Sequence, residues 1–352
     1  MAFDFSEILG AFTPITLTES INRIKSDEPL MLTKRLGRIT HTMYDEKVAF
    51  EVEEGSYNLA PVSYSNDPPV NVNISKKRKT HTVTPPQIFL KDRITASEVL
   101  NLRTAGQNPI NMTSGDKASA YNELLGYKQK GLVRLIDRRI EWMFAQGLGG
   151  KIDYTSESGR NFSIDFGFPA AESISGEYWD KATDPGNPLH HLRALMKKFK
   201  ANNNQLAPDM IILGADAGDA FLNNPYIEDW MKSAGVQLFQ LQANLDKPEA
   251  GALGRLQGAE ILEYSSTYEN DSGRATPYLD PKYVYLTHSS LWRLFYGAIA
   301  DFDGGTPPIV ARPMFSKLKT GEDGKTLDIY AESHPLPVPI TTLAVTKAKV
   351  IN

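Results

Sequence analysis

Apolar positions along the chain change period several times, and each change marks an element. Between Thr40 and Gly55, "THTMYDEKVAFEVEEG" has strand period: Met43, Val48, Phe50 and Val52 stand among charged residues. A polar stretch punctuated by prolines follows, and alternation returns at Val70, Val72 and Ile74. The pattern predicts two long strands joined by a wide loop. Such a hairpin buries too little apolar surface to stand alone and needs a neighbour to lie on.

From 116 to 146 the period lengthens to three and four. Leu125, Leu132, Ile136, Ile140 and Met143 form one face, with Arg134, Asp137, Arg138 and Glu141 on the other. The spacing predicts a helix about 45 Å long at about 1.5 Å per residue. Gly126 and Gly131 soften its middle, and Gly147 in "GLGGK" is placed to stop it. Residues 150–169, "GKIDYTSESGRNFSIDFGFP", read as strand, Ser-Gly turn, strand. Before the long helix, Thr95 and Glu98 have capping-box spacing after the extended run "PPQIFLKDRI".

The texture then becomes that of a compact α+β unit over 187–300. It holds the amphipathic run "NPLHHLRALMKKFKANN", the buried strand "DMIILG", helical pieces broken at Pro225, and the strands "AEILEYSSTY" and "KYVYLTHSS". Extended segments return from "LWRLFYGAIAD" onward. The chain closes on "HPLPVPITTLAVTKAKV", a proline zigzag feeding a strand. The first forty residues carry few periodic apolar positions. They predict an arm that packs on something else, with a short helix from Glu19 to about Lys25 capped by Thr18.

Composition narrows the function. At 352 residues the chain is long enough for two or three compact units. There is no cysteine, which excludes disulfides, thiolate metal sites and cysteine nucleophiles and fits a reducing compartment. The net charge of −4 is mild and does not suggest a grip on nucleic acid. No apolar run reaches the roughly 18 residues of a membrane span, and the N-terminus lacks a basic signal-peptide start. These features point to a soluble intracellular protein with no membrane partner.

The catalytic inventory is thin. His190 and His191 are helix neighbours that point about a hundred degrees apart, so they make a poor metal pair. His41, His81, His288 and His334 have no matching nucleophile motif. "GLGGK" follows a helix and lacks phosphate-loop spacing. "LGADAGDAF" has strand-to-helix placement, but Gly214 and Gly218 are out of order for a nucleotide loop. Its aspartates repel phosphate, and it reads as a helix start with Asp216 near the cap. No catalytic residue, cofactor or metal is assigned. "KKRK", starting at Lys76, reads more readily as a solvated edge that blocks strand aggregation than as a nucleic-acid patch.

The order of arm, hairpin, long helix, compact unit and returning strand resembles the major capsid proteins of tailed bacteriophages. More narrowly it is similar to the lambda-like capsid E family, with the α+β Hong Kong 97-type fold. The stretches that carry the resemblance are "YNLAPVSYSNDPP", "PPQIFLKDRI", "LVRLIDRRIEWMFAQGLGGK" and "HPLPVPITTLAVTKAKV".

The resemblance implies a set of domains. Residues 1–40 are an N-terminal arm and 41–94 an extended E-loop hairpin over a neighbour. Residues 95–186 and 301–352 form a peripheral domain around spine helix 116–146, and 187–300 an axial domain. It also implies hexamers and pentamers in an icosahedral shell enclosing double-stranded DNA without sequence-specific binding. Such shells are virion components assembled in the host cytoplasm. A separate scaffolding protein, a portal and a decoration protein are the implied partners, and no scaffold segment is expected ahead of the arm. Expected assembly contacts are Lys76, Lys77 and Arg78 in the hairpin, Arg134, Arg138, Arg139 and Glu141 on the spine, and Pro335, Pro337 and Pro339 in the tail. The prolines fix extended geometry and remove donors where no partner strand lies, so that the tail joins the peripheral sheet beside the spine. Covalent cross-linking between subunits is not expected. The alternatives are a cargo-holding nanocompartment of the same fold, another virion structural protein, or a small-molecule hydrolase built on 187–300.

Overall fold

The computed structural model describes residues 13–24, 30–45, 47–54, 77–100, 114–155, 159, 161–174, 176–181, 184–233, 251–270, 272–301, 309–321 and 325–352. The first helix is Pro14–Arg23. It starts earlier than the sequence predicts, because Pro14 sets the first helical φ and the Thr13 hydroxyl accepts from Thr16 N–H at 3.3 Å. Thr18, expected as the cap, is buried and trades hydrogen bonds with the backbone of Ser316. Asn22 does the same with Met314 at 2.7 and 3.2 Å. With Leu17 and Ile21 buried beside them, these residues seat the helix on the chain's own strand Phe315–Thr320. The described part of the expected arm therefore docks on its own subunit.

The spine helix runs Ser114–Gly149, 36 residues, about 54 Å at about 1.5 Å per residue. Leu125, Leu132, Ile136, Ile140 and Met143 are buried as their spacing predicts, joined by Tyr121, Phe144 and Leu148. The stop is not at Gly147. The helix ends against Gly150, whose φ of +101° is a conformation that favours glycine. Gly147 answers to packing: a Cβ there would stand 3.3 Å from the Trp292 ring. Thr95 and Glu98 close a capping box, with Thr95 N–H to Glu98 at 2.8 Å and Glu98 N–H to the Thr95 hydroxyl at 3.3 Å.

Beyond the spine, a five-stranded sheet has the order Val345–Lys349, Tyr283–Thr287, Met210–Gly214, Ala259–Tyr264, Gly251–Leu256. Met210–Gly214 is buried at every position and pairs parallel with Ala259–Tyr264; the other pairings are antiparallel. Helices Pro188–Asn202, Ala215–Leu222 and Pro225–Ser233 accompany the sheet, with the break at Pro225 that the sequence predicts. The Asn187 side chain caps the first, accepting from Leu189 and His190 N–H.

The C-terminal strand departs from its expected place. It pairs with Tyr283–Thr287 in this central sheet instead of an outer sheet beside the spine. Ala344, Val345, Ala348 and Val350 bury their side chains there, and the Thr287 hydroxyl donates to the Ala344 carbonyl. Spine and central sheet share one contiguous apolar core.

Two three-stranded sheets complete the frame. In one, Thr326–Ser333 lies between Phe315–Thr320 and Ile88–Thr95. In the other, Trp292–Tyr296 lies between Thr40–Thr42 and Pro335–Pro339. Lys151–Thr155 and Asn161–Asp165 form the predicted short hairpin.

Candidate assembly surfaces

The long hairpin pairs Val48–Glu54 with Lys77–Val83, antiparallel and in strict register, in a sheet of two strands. The register sets Glu54 opposite Lys77, Glu53 opposite Arg78 and Val52 opposite Lys79. Lys76 and the loop 55–76 lie outside the described residues. Such a two-stranded ribbon is marginal alone in water.

On the spine, the expected polar residues divide. Arg138 is exposed, Arg134 half-buried. Arg139 is held within the subunit, its guanidinium 4.5 Å from the Tyr154 ring centre and 5.2 Å from that of Trp142. Glu141 corrects the expectation outright: it is 0% exposed. Its carboxylate accepts from Leu32 N–H at 2.8 Å, Thr33 N–H at 2.7 Å, the Thr33 hydroxyl at 2.7 Å and the Tyr264 hydroxyl at 2.7 Å. It caps the short helix Met31–Leu36 and ties that helix to the spine and the central sheet. One turn on, Arg35 reaches Glu260 of the same sheet strand at 2.5 Å. Glutamate on an otherwise polar helix face gives no sequence signal that it points inward.

The tail prolines are also internal. Pro335–Pro339 is buried at all five positions, with Leu336 and Val338 in an apolar cluster against Met143 of the spine. The Leu294 N–H and Tyr296 carbonyl point to the strand Thr40–Thr42 side, so Arg293 and Phe295 face the proline strand. Their partners Val338 and Leu336 carry the ladder bonds. Pro335, Pro337 and Pro339 turn their nitrogens to the outer edge, where an N–H would meet no strand of that sheet. The donor-removal part of the expectation therefore stands, but these side chains are core, not contact surface.

The loop "LGADAGDAF" has the expected placement and a steric reason for its glycines. A Cβ on Gly214 would collide with the Asp280 carbonyl, and one on Gly218 would stand 2.8 Å from Glu263. A cleft of about 540 Å³ beside it is lined by Asp180, Asp216 and Asp219. Burial, then Asp219, pushes the Glu263 carboxyl up. The buried His191 accepts from the Trp179 indole at 3.0 Å, which leaves its Nε2–H to face Glu177 at 3.0 Å. Both ring nitrogens are thereby occupied in holding the loop before the helix. Among the described residues no group of three His, Asp or Glu is placed to hold a metal ion. Among them, too, no helix is long and apolar enough to cross a membrane.

The family model for the phage major capsid protein E matches residues 13–350. The chain belongs to that family. As a capsid protein it has close company among solved folds. A prophage capsid protein of E. coli CFT073 superposes with a TM-score of 0.69 at 17% identity, over 96% of this chain and 99% of the other. A phage-related protein from Bordetella bronchiseptica RB50 gives 0.55 at 10% identity, covering 95% and 96%. The capsid subunit of cyanophage A-1(L) gives 0.54 at 11%, covering 97% and 99%. A comparison with curated protein sequences gives no significant match. The fold is thus the α+β Hong Kong 97 type, carried by a capsid protein that forms part of the phage virion.

Proposed function

We propose that this capsid protein is the major shell subunit of a tailed-phage head, and that it assembles into hexamers and pentamers closing an icosahedral shell around double-stranded DNA. The observation that carries the reading is the family match across 13–350, together with a two-stranded hairpin that, among the described residues, pairs with no other strand. A ribbon of this kind gains stability by lying on a second copy. Each subunit contact is weak alone, and many acting together hold a shell.

In this reading residues 41–94 are the loop that reaches over a neighbour, and the spine with the flanking sheets of 95–186 and 301–344 is the peripheral domain. The unit from 187 to about 300 is the axial domain, extended by the terminal strand Val345–Lys349 that joins its sheet. Residues 1–12 of the expected arm lie outside the described residues. Lys76, Lys77, Arg78, Arg134 and Arg138 are the proposed polar contacts between copies. The protein works by assembly and not by catalysis, in the host cytoplasm, with separate scaffolding, portal and decoration proteins. A net charge of −4 suits a wall that does not grip packaged DNA.

The test is sedimentation of the purified chain, expressed with and without the neighbouring reading frames. Particles of megadalton size in either preparation support the reading. Small, discrete oligomers in both contradict it.

A further inference from the structure

Along the outward face of the spine, Glu123, Tyr127, Gly131, Leu135 and Arg138 follow one another at three- and four-residue spacing, and all are exposed. Tyr127 is 71% and Leu135 52% exposed, high values for large apolar side chains. Nothing stands within 4 Å of where a Gly131 Cβ would lie. Single exposed apolar residues are ordinary. This set has an internal symmetry that scattered residues lack. Tyr127 and Leu135 stand four residues to either side of Gly131, and the acid Glu123 and the base Arg138 stand about two turns to either side.

We propose that the spine helices of two copies pack antiparallel across a local two-fold axis centred on Gly131. The inference rests on the shell reading and adds to it which helix meets which. A two-fold contact is isologous: whatever residue i touches on the copy, that residue touches i in return. About Gly131, Tyr127 then meets Leu135 of the second copy, twice over. Glu123 meets Arg138 of the second copy, also twice. A parallel alignment sets Glu123 on Glu123 and Arg138 on Arg138, and like charges oppose it. Gly131 at the crossing removes the side chain that would hold the two backbones apart. The opposite face of the same helix is committed to the core through Leu125, Leu132 and Ile136.

The natural chain has no cysteine, so a Gly131→Cys chain carries one thiol, and any disulfide it forms joins two copies at this position. A disulfide needs Cα atoms about 5.5 to 6 Å apart, an approach that a glycine crossing provides. Particles of this chain are imaged, oxidised, and run on a denaturing gel without reductant; a parallel sample takes a short bis-maleimide. The expected result is a covalent dimer as the main band. Particles of Ser272→Cys, exposed on a turn of the central unit, are expected to stay monomeric. Imaged Gly131→Cys particles that remain monomeric under both reagents overturn the contact.

A charge exchange reads the same contact without a substitution at the crossing. Glu123→Arg and Arg138→Glu are each expected to lower particle yield several-fold, and the double variant to restore it. A double variant no better than either single overturns the antiparallel pairing. A natural chain that forms no particles fails the shell reading itself, and this contact with it.

Discussion

The Tyr264 hydroxyl donates to the Glu141 carboxylate at 2.7 Å, joining the C-terminal third of the spine helix to the central sheet. The same carboxylate takes two backbone N–H groups from the helix Met31–Leu36. One buried side chain thus holds three parts of the chain together: N-terminal segment, spine and central sheet. Burial and the Glu141 charge push the Tyr264 hydroxyl far above its ordinary value, so it stays a donor at every pH the protein meets.

Truncating Glu141 leaves those donors buried without an acceptor. Glu141→Ala is expected to destabilise the subunit by about 3 kcal/mol, and Tyr264→Phe by about 1 kcal/mol. Urea unfolding of the unassembled chain measures both. Equal and small effects would show that the clamp contributes little.

The outer-edge prolines make a different prediction. Pro337→Ala restores an N–H on an edge that has none at that position, and it loosens the unfolded chain. The new donor is buried and faces no strand of its sheet, so the expected cost is about 1–3 kcal/mol in urea unfolding. An unchanged unfolding midpoint would remove the donor-exclusion role.

Removal of residues 340–352 takes the edge strand Val345–Lys349 from the central sheet and uncovers its partner Tyr283–Thr287. The truncated chain is expected to be insoluble or to melt far below the intact one in circular dichroism. Replacing 47–84 by a short loop is expected to act oppositely: the melting curve stays close to that of the intact chain, and particles disappear. A loop-deleted chain that still forms particles would separate the hairpin from assembly.

Two carboxyls carry opposite signs of pH dependence. The Arg93 hydrogen bond, then Lys91, holds the Asp328 carboxyl below the usual carboxylate range. Its contribution is therefore present above the unfolded value of about 4 and is lost as pH falls through the lower folded value. Asp328→Asn should lower the melting temperature at pH 7, with an effect that fades as pH falls below the usual carboxylate range. Glu263 is raised by burial and Asp219, so its contribution is present at low pH and lost as pH rises through the folded value. Glu263→Gln should raise the melting temperature at pH 7 and leave it unchanged near pH 4.

Much of this architecture was legible in residue spacing. The three- and four-residue rhythm of Leu125, Leu132, Ile136 and Ile140 marked the spine, Thr95 and Glu98 marked a helix start, and Pro225 marked a break. What stayed hidden depended on distant partners. Gly147 looked like a stop because its reason, the Trp292 ring, lies 145 positions away in the chain. Glu141 looked like surface because polarity reports the solvent face only when no donor waits inside. The terminal strand's alternation showed that it pairs, but not with which sheet. The resemblance to capsid proteins came from the order of elements, and individual contact residues were the least legible, since arginines and prolines serve interior and surface alike.

Electron microscopy of the expressed chain tests the central claim most directly. Closed shells, with averaged capsomers of six-fold and five-fold symmetry, are the predicted result. A preparation holding only small discrete oligomers, with or without the neighbouring reading frames, would contradict it.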